Sequence, residues 1–154
     1  MQHTNKAASF AATYALLRAA GAVADHWIQT SEQSVTKGKP GHEGRAACAV
    51  HVASYVGAQG LALVAGNRVL GLGMRPSRIA AALLISGATH YIADRRRPLE
   101  RLAELTGKAE FYHLGEDTVN AKGERAYHVG TGAYQLDQSY HHLFEAFAAI
   151  VSTV

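Results

Sequence analysis

Apolar residues fall in four long stretches along this chain, separated by shorter polar breaks. In the first, from Ala7 to about Thr30, Phe10, Tyr14, Leu17, Val23, Trp27 and Ile28 recur at helical spacing, which predicts a helix. Residues 31–44, SEQSVTKGKPGHEG, carry Gly38, Pro40, Gly41 and Gly44 and read as a loop. A second helix is predicted from about Arg45 to Val64, followed by a connection over AGNRVLGLGMRP. Pro76 and Ser77 open a third helix, predicted to reach about Arg96. Proline suits a first turn because the N–H it lacks has no helical partner there. Pro98 breaks or kinks that helix, and LERLAELTG continues as a short amphipathic helix closed by Gly107. Residues 108–132 read as irregular, with GEDTVNAKGE as an excursion and HVGTGAY as a tight glycine loop. A last helix is predicted from about Tyr134 to Val154. Long alternating strand patterns are missing. The expectation is an all-α protein, a compact helical bundle of about five helices, in a single domain over 1–154.

Composition adds a constraint. Of the 154 residues, 48% are apolar and only 18% charged, so much of the chain must be buried. The net charge of +3 suits an anionic small-molecule ligand without requiring nucleic acid. The single cysteine, Cys48, has no partner for an internal disulfide, which fits a reducing compartment. No basic, apolar and small-residue segments follow one another as in a signal peptide. Residues 46–66 approach the length of a membrane span but contain His51 and Gln59, and the first helix carries Arg18. A cytoplasmic location is therefore expected, with membrane association as the alternative. Homo-oligomerisation stays open.

The histidines and aspartates are placed unevenly. The chain has four aspartates, and three lie beside histidines on predicted helices. Asp25 and His26 adjoin near the end of the first helix, and His51 lies in the apolar second helix. His90 and Asp94 are spaced i, i+4, as are Asp137 and His141. That spacing puts both side chains on one helical face, where they can share a metal ion or where the carboxylate can orient the imidazole. In an up-and-down bundle these sets fall at compatible heights, provided the last helix enters from the same end as the second. His3, His42, His113 and His128 sit in polar or loop stretches and read as non-ligands.

The expected metal ligands are His26 or Asp25, His51, His90, Asp94, Asp137 and His141. With one cysteine, a thiolate-rich structural zinc site is excluded. Imidazole and carboxylate donors suit a divalent Zn, Mn, Fe or Ni ion, and carboxylates with water suit Mg. Asp25, Gln29, Asp137 and Gln138 are the candidates for handling water and protons. Arg95 and Arg96, with Lys37 and Lys39, are candidates for holding a phosphate, since guanidinium forks match phosphate oxygens. An arginine run at a helix C-terminus also complements the helix dipole without any ligand.

The stretches ADHWIQTSEQSVTKGKPG, CAVHVASY, THYIADRRRPLERLAELTG, FYHLG and GTGAYQLDQSYHH together carry a resemblance. The chain resembles a bacterial family of small helical His/Asp-rich proteins, common in Streptomyces-type actinobacteria and their mobile elements. Its members are labelled variously as membrane proteins or transcriptional regulators. The resemblance points to Asp25 and Gln29, His51, His90 and Asp94, and Asp137, Gln138 and His141. The order of these residues is also loosely similar to HD-type metal phosphohydrolases, although the only adjacent pair, Asp25–His26, is reversed. The expected function is metal-dependent hydrolysis of a phosphoester or phosphoanhydride of a small molecule or nucleotide. The alternatives are a non-catalytic membrane-associated bundle with a buried polar layer, and a DNA-binding regulator of a mobile element.

Overall fold

The structure is a computed structural model that describes residues 5–115 and 130–153. Most of the expected excursion GEDTVNAKGE, together with His3 and His128, lies outside these residues. Among the described residues there is no strand, and the chain is an all-α bundle.

Helix α1 spans Lys6–Val23 and is capped by Asn5, whose side chain accepts from Ala7 N at 3.0 Å. Residues Ala24–Ile28 extend it as a single π turn. Helix α2, Ser31–Thr36, lies inside the stretch expected to be loop. Its signal was present in the sequence. Thr30 and Gln33 form a reciprocal capping box, which satisfies two N–H groups that a helix start leaves unpaired. Helix α3, Gly41–Leu70, overruns its expected bounds at both ends. Helix α4 covers Pro76–Asp94, α5 Arg97–Leu105, α6 Ala109–Tyr112 and α7 Gly132–Thr153.

Gly44, read as a breaker, is instead a packing site, since a side chain there would strike the backbone at Lys39. Gly66 and Gly87 pack as closely, where side chains would strike Leu16 and Val56. The break between α4 and α5 falls at Arg96, the sole described non-glycine residue with positive φ (60°).

The four long helices form a ring. α1 packs on α3 and α7, and α4 packs on the same two. Asp25 follows the end of α1, His51 lies ten residues into α3, His90 precedes the end of α4 and His141 lies nine residues into α7. These residues meet, so the helices alternate in direction and α7 enters from the same end as α3. At the far end, Leu17, Leu63, Met74, Ile79, Ala82, Ala148 and Ala149 make the main apolar core. At the near end, α5 and α6 fold over α7 around Leu99, Ala103, Tyr112 and Ala133.

Candidate metal centre

Three helical segments deliver four donors to the same point. The π turn after α1 supplies Asp25, α3 supplies His51, and α4 supplies His90 and Asp94. His51 Nε2 and His90 Nε2 are 3.0 Å apart. Asp25 Oδ1 lies 3.2 Å from His51 Nε2 and 3.4 Å from His90 Nε2. Asp94 Oδ2 lies 3.4 Å and 3.2 Å from the same two atoms. The two imidazoles and Asp94 are almost wholly shielded from solvent.

Hydrogen bonds do not account for these contacts. Each imidazole Nε2 carries at most one proton, so at most two of the five short contacts can be proton-bridged. The others are left without a shared proton in a dry interior, where an unmet polar atom is costly. Asp25 Oδ1 and Asp94 Oδ2 are both buried without a hydrogen-bond partner, as are the Nδ1 atoms of His51 and His90. A divalent cation removes the conflict. With metal–ligand bonds of about 2.0–2.2 Å, neighbouring donors stand roughly 3.3–3.6 Å apart around a tetrahedral ion and about 2.8–3.1 Å around an octahedral one. The 3.0–3.4 Å spacings here span the two arrangements. The residues present therefore fit a divalent ion.

A second group of donors adjoins the first. The His141 ring stacks on His90, with centroids 4.1 Å apart and planes 12° from parallel. Asp137 Oδ2 lies 3.4 Å from His141 Nε2. Asp94, Asp137 and His141 form a triple with donor atoms within 4.8 Å of one another, and so do Asp25, His90 and His141.

The remaining expected residues divide. His26 is exposed and faces away from the cluster, its Nδ1 against Ala22 O at 2.8 Å and its Nε2 against the Tyr134 hydroxyl at 3.1 Å. Asp25, not His26, is therefore the donor from the end of α1. Gln29 has a buried, unpartnered Nε2, and Gln138 donates to Asp137 at 3.4 Å. Lys37 Nζ pairs with Asp94 Oδ1 at 2.7 Å, which leaves Oδ2 to the cluster. Arg95 donates to the carbonyls of Lys37 and Lys39, and Arg96 donates to the carbonyl of Ser34. In this structure the two arginines clamp the segment carrying Lys37. Lys39 is exposed.

One layer deeper lies a polar group that the sequence reading missed. The Tyr55 ring covers His90, with centroids 3.7 Å apart, and its hydroxyl donates to Glu145 Oε1 at 2.7 Å. Arg18 pairs with Glu145 Oε2 at 2.9 Å. Gln59 donates to Glu145 Oε1 at 3.3 Å and accepts from the Ser86 hydroxyl at 2.7 Å. The signal was a spacing of four carried one step further. His51, Tyr55 and Gln59 line α3, Ser86, His90 and Asp94 line α4, and Asp137, His141 and Glu145 line α7.

Fold and site together define a helical-bundle protein with a buried His/Asp cluster able to hold a metal ion. No protein-family model, curated protein or solved structure matches this chain.

Proposed function

We propose that this chain is a divalent-metal-dependent hydrolase of phosphoesters or phosphoanhydrides, acting on an anionic small molecule or nucleotide. The observation that carries the reading is the convergence of four buried donor atoms from Asp25, His51, His90 and Asp94. Two imidazoles with two carboxylates suit Zn, Mn, Fe or Ni better than Mg. An ion held there supplies Lewis acidity, which lowers the pKa of water and polarises a phosphoryl oxygen.

The chain's own residues supply the rest. Asp137 orients the His141 imidazole, which stands beside the donors as the proton acceptor and donor. The unpartnered Gln29 amide is available to a substrate oxygen. Lys37 and Lys39 place positive charge on the loop next to the cluster, and the Arg95 and Arg96 clamps fix that loop. Kinship with the actinobacterial His/Asp-rich family belongs to the same proposal, since the residues carrying that resemblance are those that converge here.

The first test is elemental analysis of the purified chain, expected to find at least one divalent ion, lost in a His90→Ala/Asp94→Ala double variant. Phosphate release from p-nitrophenyl phosphate and from nucleoside triphosphates is then measured. Finding no metal, with no change in melting temperature on chelation, overturns the whole reading. Bound metal without any phosphate release overturns the hydrolase and leaves the metal centre.

A further inference from the structure

The bundle is inside out. On α3 the buried positions include Cys48, His51, Tyr55 and Gln59, while the exposed ones include Val50, Ala53, Leu61 and Val64. On α7, His141, Glu145 and Ser152 face inward, while Leu143, Phe147 and Ile150 face out. On α4, Ser86 and His90 are buried, and Leu84 and Ile92 are exposed. On α1, Ser9 and Thr13 are buried, and the outer face beyond Lys6 is alanine and valine. A helix at a water-facing surface shows the reverse distribution.

We infer that the apolar belt faces the hydrocarbon of a lipid bilayer, with α1, α3, α4 and α7 crossing it. Three observations single out lipid. First, the belt runs round all four long helices, whereas a protein partner or a second copy would cover one side. Second, the length fits. Residues 46–67 of α3, between Arg45 and Arg68, carry no formal charge, and at about 1.5 Å per residue they span roughly 33 Å, against a hydrocarbon core of about 30 Å. Third, α1 with its π turn and α3 are both long and apolar enough to cross, yet only 28% of each apolar window is buried, unlike a core helix of a water-soluble protein. Arg18, the charged residue in the interior of α1, is paired with Glu145 from α7, as a charged group at membrane depth must be.

Orientation follows from the cations. Lys6, Arg68, Arg75 and Arg78 mark the far end. Lys37, Lys39 and Arg45 mark the near end, where five further described cations, Arg95, Arg96, Arg97, Arg101 and Lys108, lie between α4 and α7. Lysine and arginine concentrate on the cytoplasmic side. The near end, with the donor cluster, therefore faces the cytoplasm, and the start of α1 and the end of α7 lie on the opposite side.

This inference is independent of the hydrolase reading. The test expresses the full chain in a bacterium and floats the lysate on a density gradient after an alkaline carbonate wash. The chain is expected to float with the membranes and to be released only by detergent. Recovery in the soluble fraction, or as a pellet that neither floats nor dissolves in mild detergent, overturns the inference. Leu61→Glu/Phe147→Glu is a second probe, expected to lose membrane recovery; wild-type recovery with these charges in the belt also overturns it. Orientation is read by membrane-impermeant maleimide in a Cys48→Ala background. Ser77→Cys is expected to react in intact spheroplasts, and Glu43→Cys only after permeabilisation. The opposite labelling overturns the assigned orientation.

Discussion

The two ends of the bundle are built from the same four helices by different physics. At the far end Leu17, Leu63, Ile79 and the alanines of α7 hold the helices together by apolar packing. At the near end the same inward faces carry Asp25, His51, His90, Asp94 and His141, a set of groups that repel or go unpaired when left to themselves. The first end can be stable without help. The second carries buried groups that cost stability, a cost that an ion held among them would offset. Stability should therefore be concentrated in one end and metal dependence in the other.

Four perturbations break or sharpen that contrast, taken from the largest effect down. His90→Ala/Asp94→Ala should remove bound metal entirely and abolish phosphate release. Elemental analysis and a turnover assay report both, and full metal content in this variant would remove the near-end account. Leu63→Ala, in the far core, should cost about 2–5 kcal/mol in unfolding free energy while leaving metal stoichiometry unchanged. Glu145→Gln should cost roughly 3 kcal/mol, because it leaves Arg18 facing a neutral amide. A metal titration on the same variant should still show binding, since Glu145 touches Tyr55, Gln59 and Arg18 but none of the four donors. Chelation should lower the melting temperature of the wild type and leave the double variant unmoved, with about 2.7 kcal/mol at stake when the free ion exceeds its Kd a hundredfold. The same shift should shrink toward acid pH, because protons compete with the ion for imidazole nitrogens. A chelation effect that grows toward acid pH would contradict imidazole ligation.

Much of the near end was legible because its chemistry is carried by local spacing. Residues four apart share a helix face in any context, so His90 with Asp94 and Asp137 with His141 could be paired from the sequence alone. The helices' alternating direction then placed the pairs at one height. The misses have equally local causes. Gly41 and Gly44 suggest a loop, yet Gly44 sits inside α3 because the backbone at Lys39 leaves no room for a side chain. Thr30 with Gln33 offered a capping box inside an apparent loop. Arg95 and Arg96 carry the charge of a phosphate site, but charge does not reveal that carbonyls of a distant segment already occupy their donors. His26 and Asp25 are neighbours, and only the backbone's local winding decides which one turns inward. The inverted distribution of polar and apolar faces has the same periodicity as an ordinary amphipathic helix, so periodicity alone cannot tell the two apart.

That winding is the π turn over Ala24–Ile28. An inserted residue in a helix changes its phase by about 100°. The segment thus works as an indexing step at the end of α1: α1 keeps one phase for its contacts with α3 and α7, and the π turn re-aims Asp25 before the chain leaves the helix at Gln29. Deleting Ala24 would let a regular helix re-form while turning Asp25 out of register. A single-residue deletion there should leave the bundle assembled and take one of its four donors away.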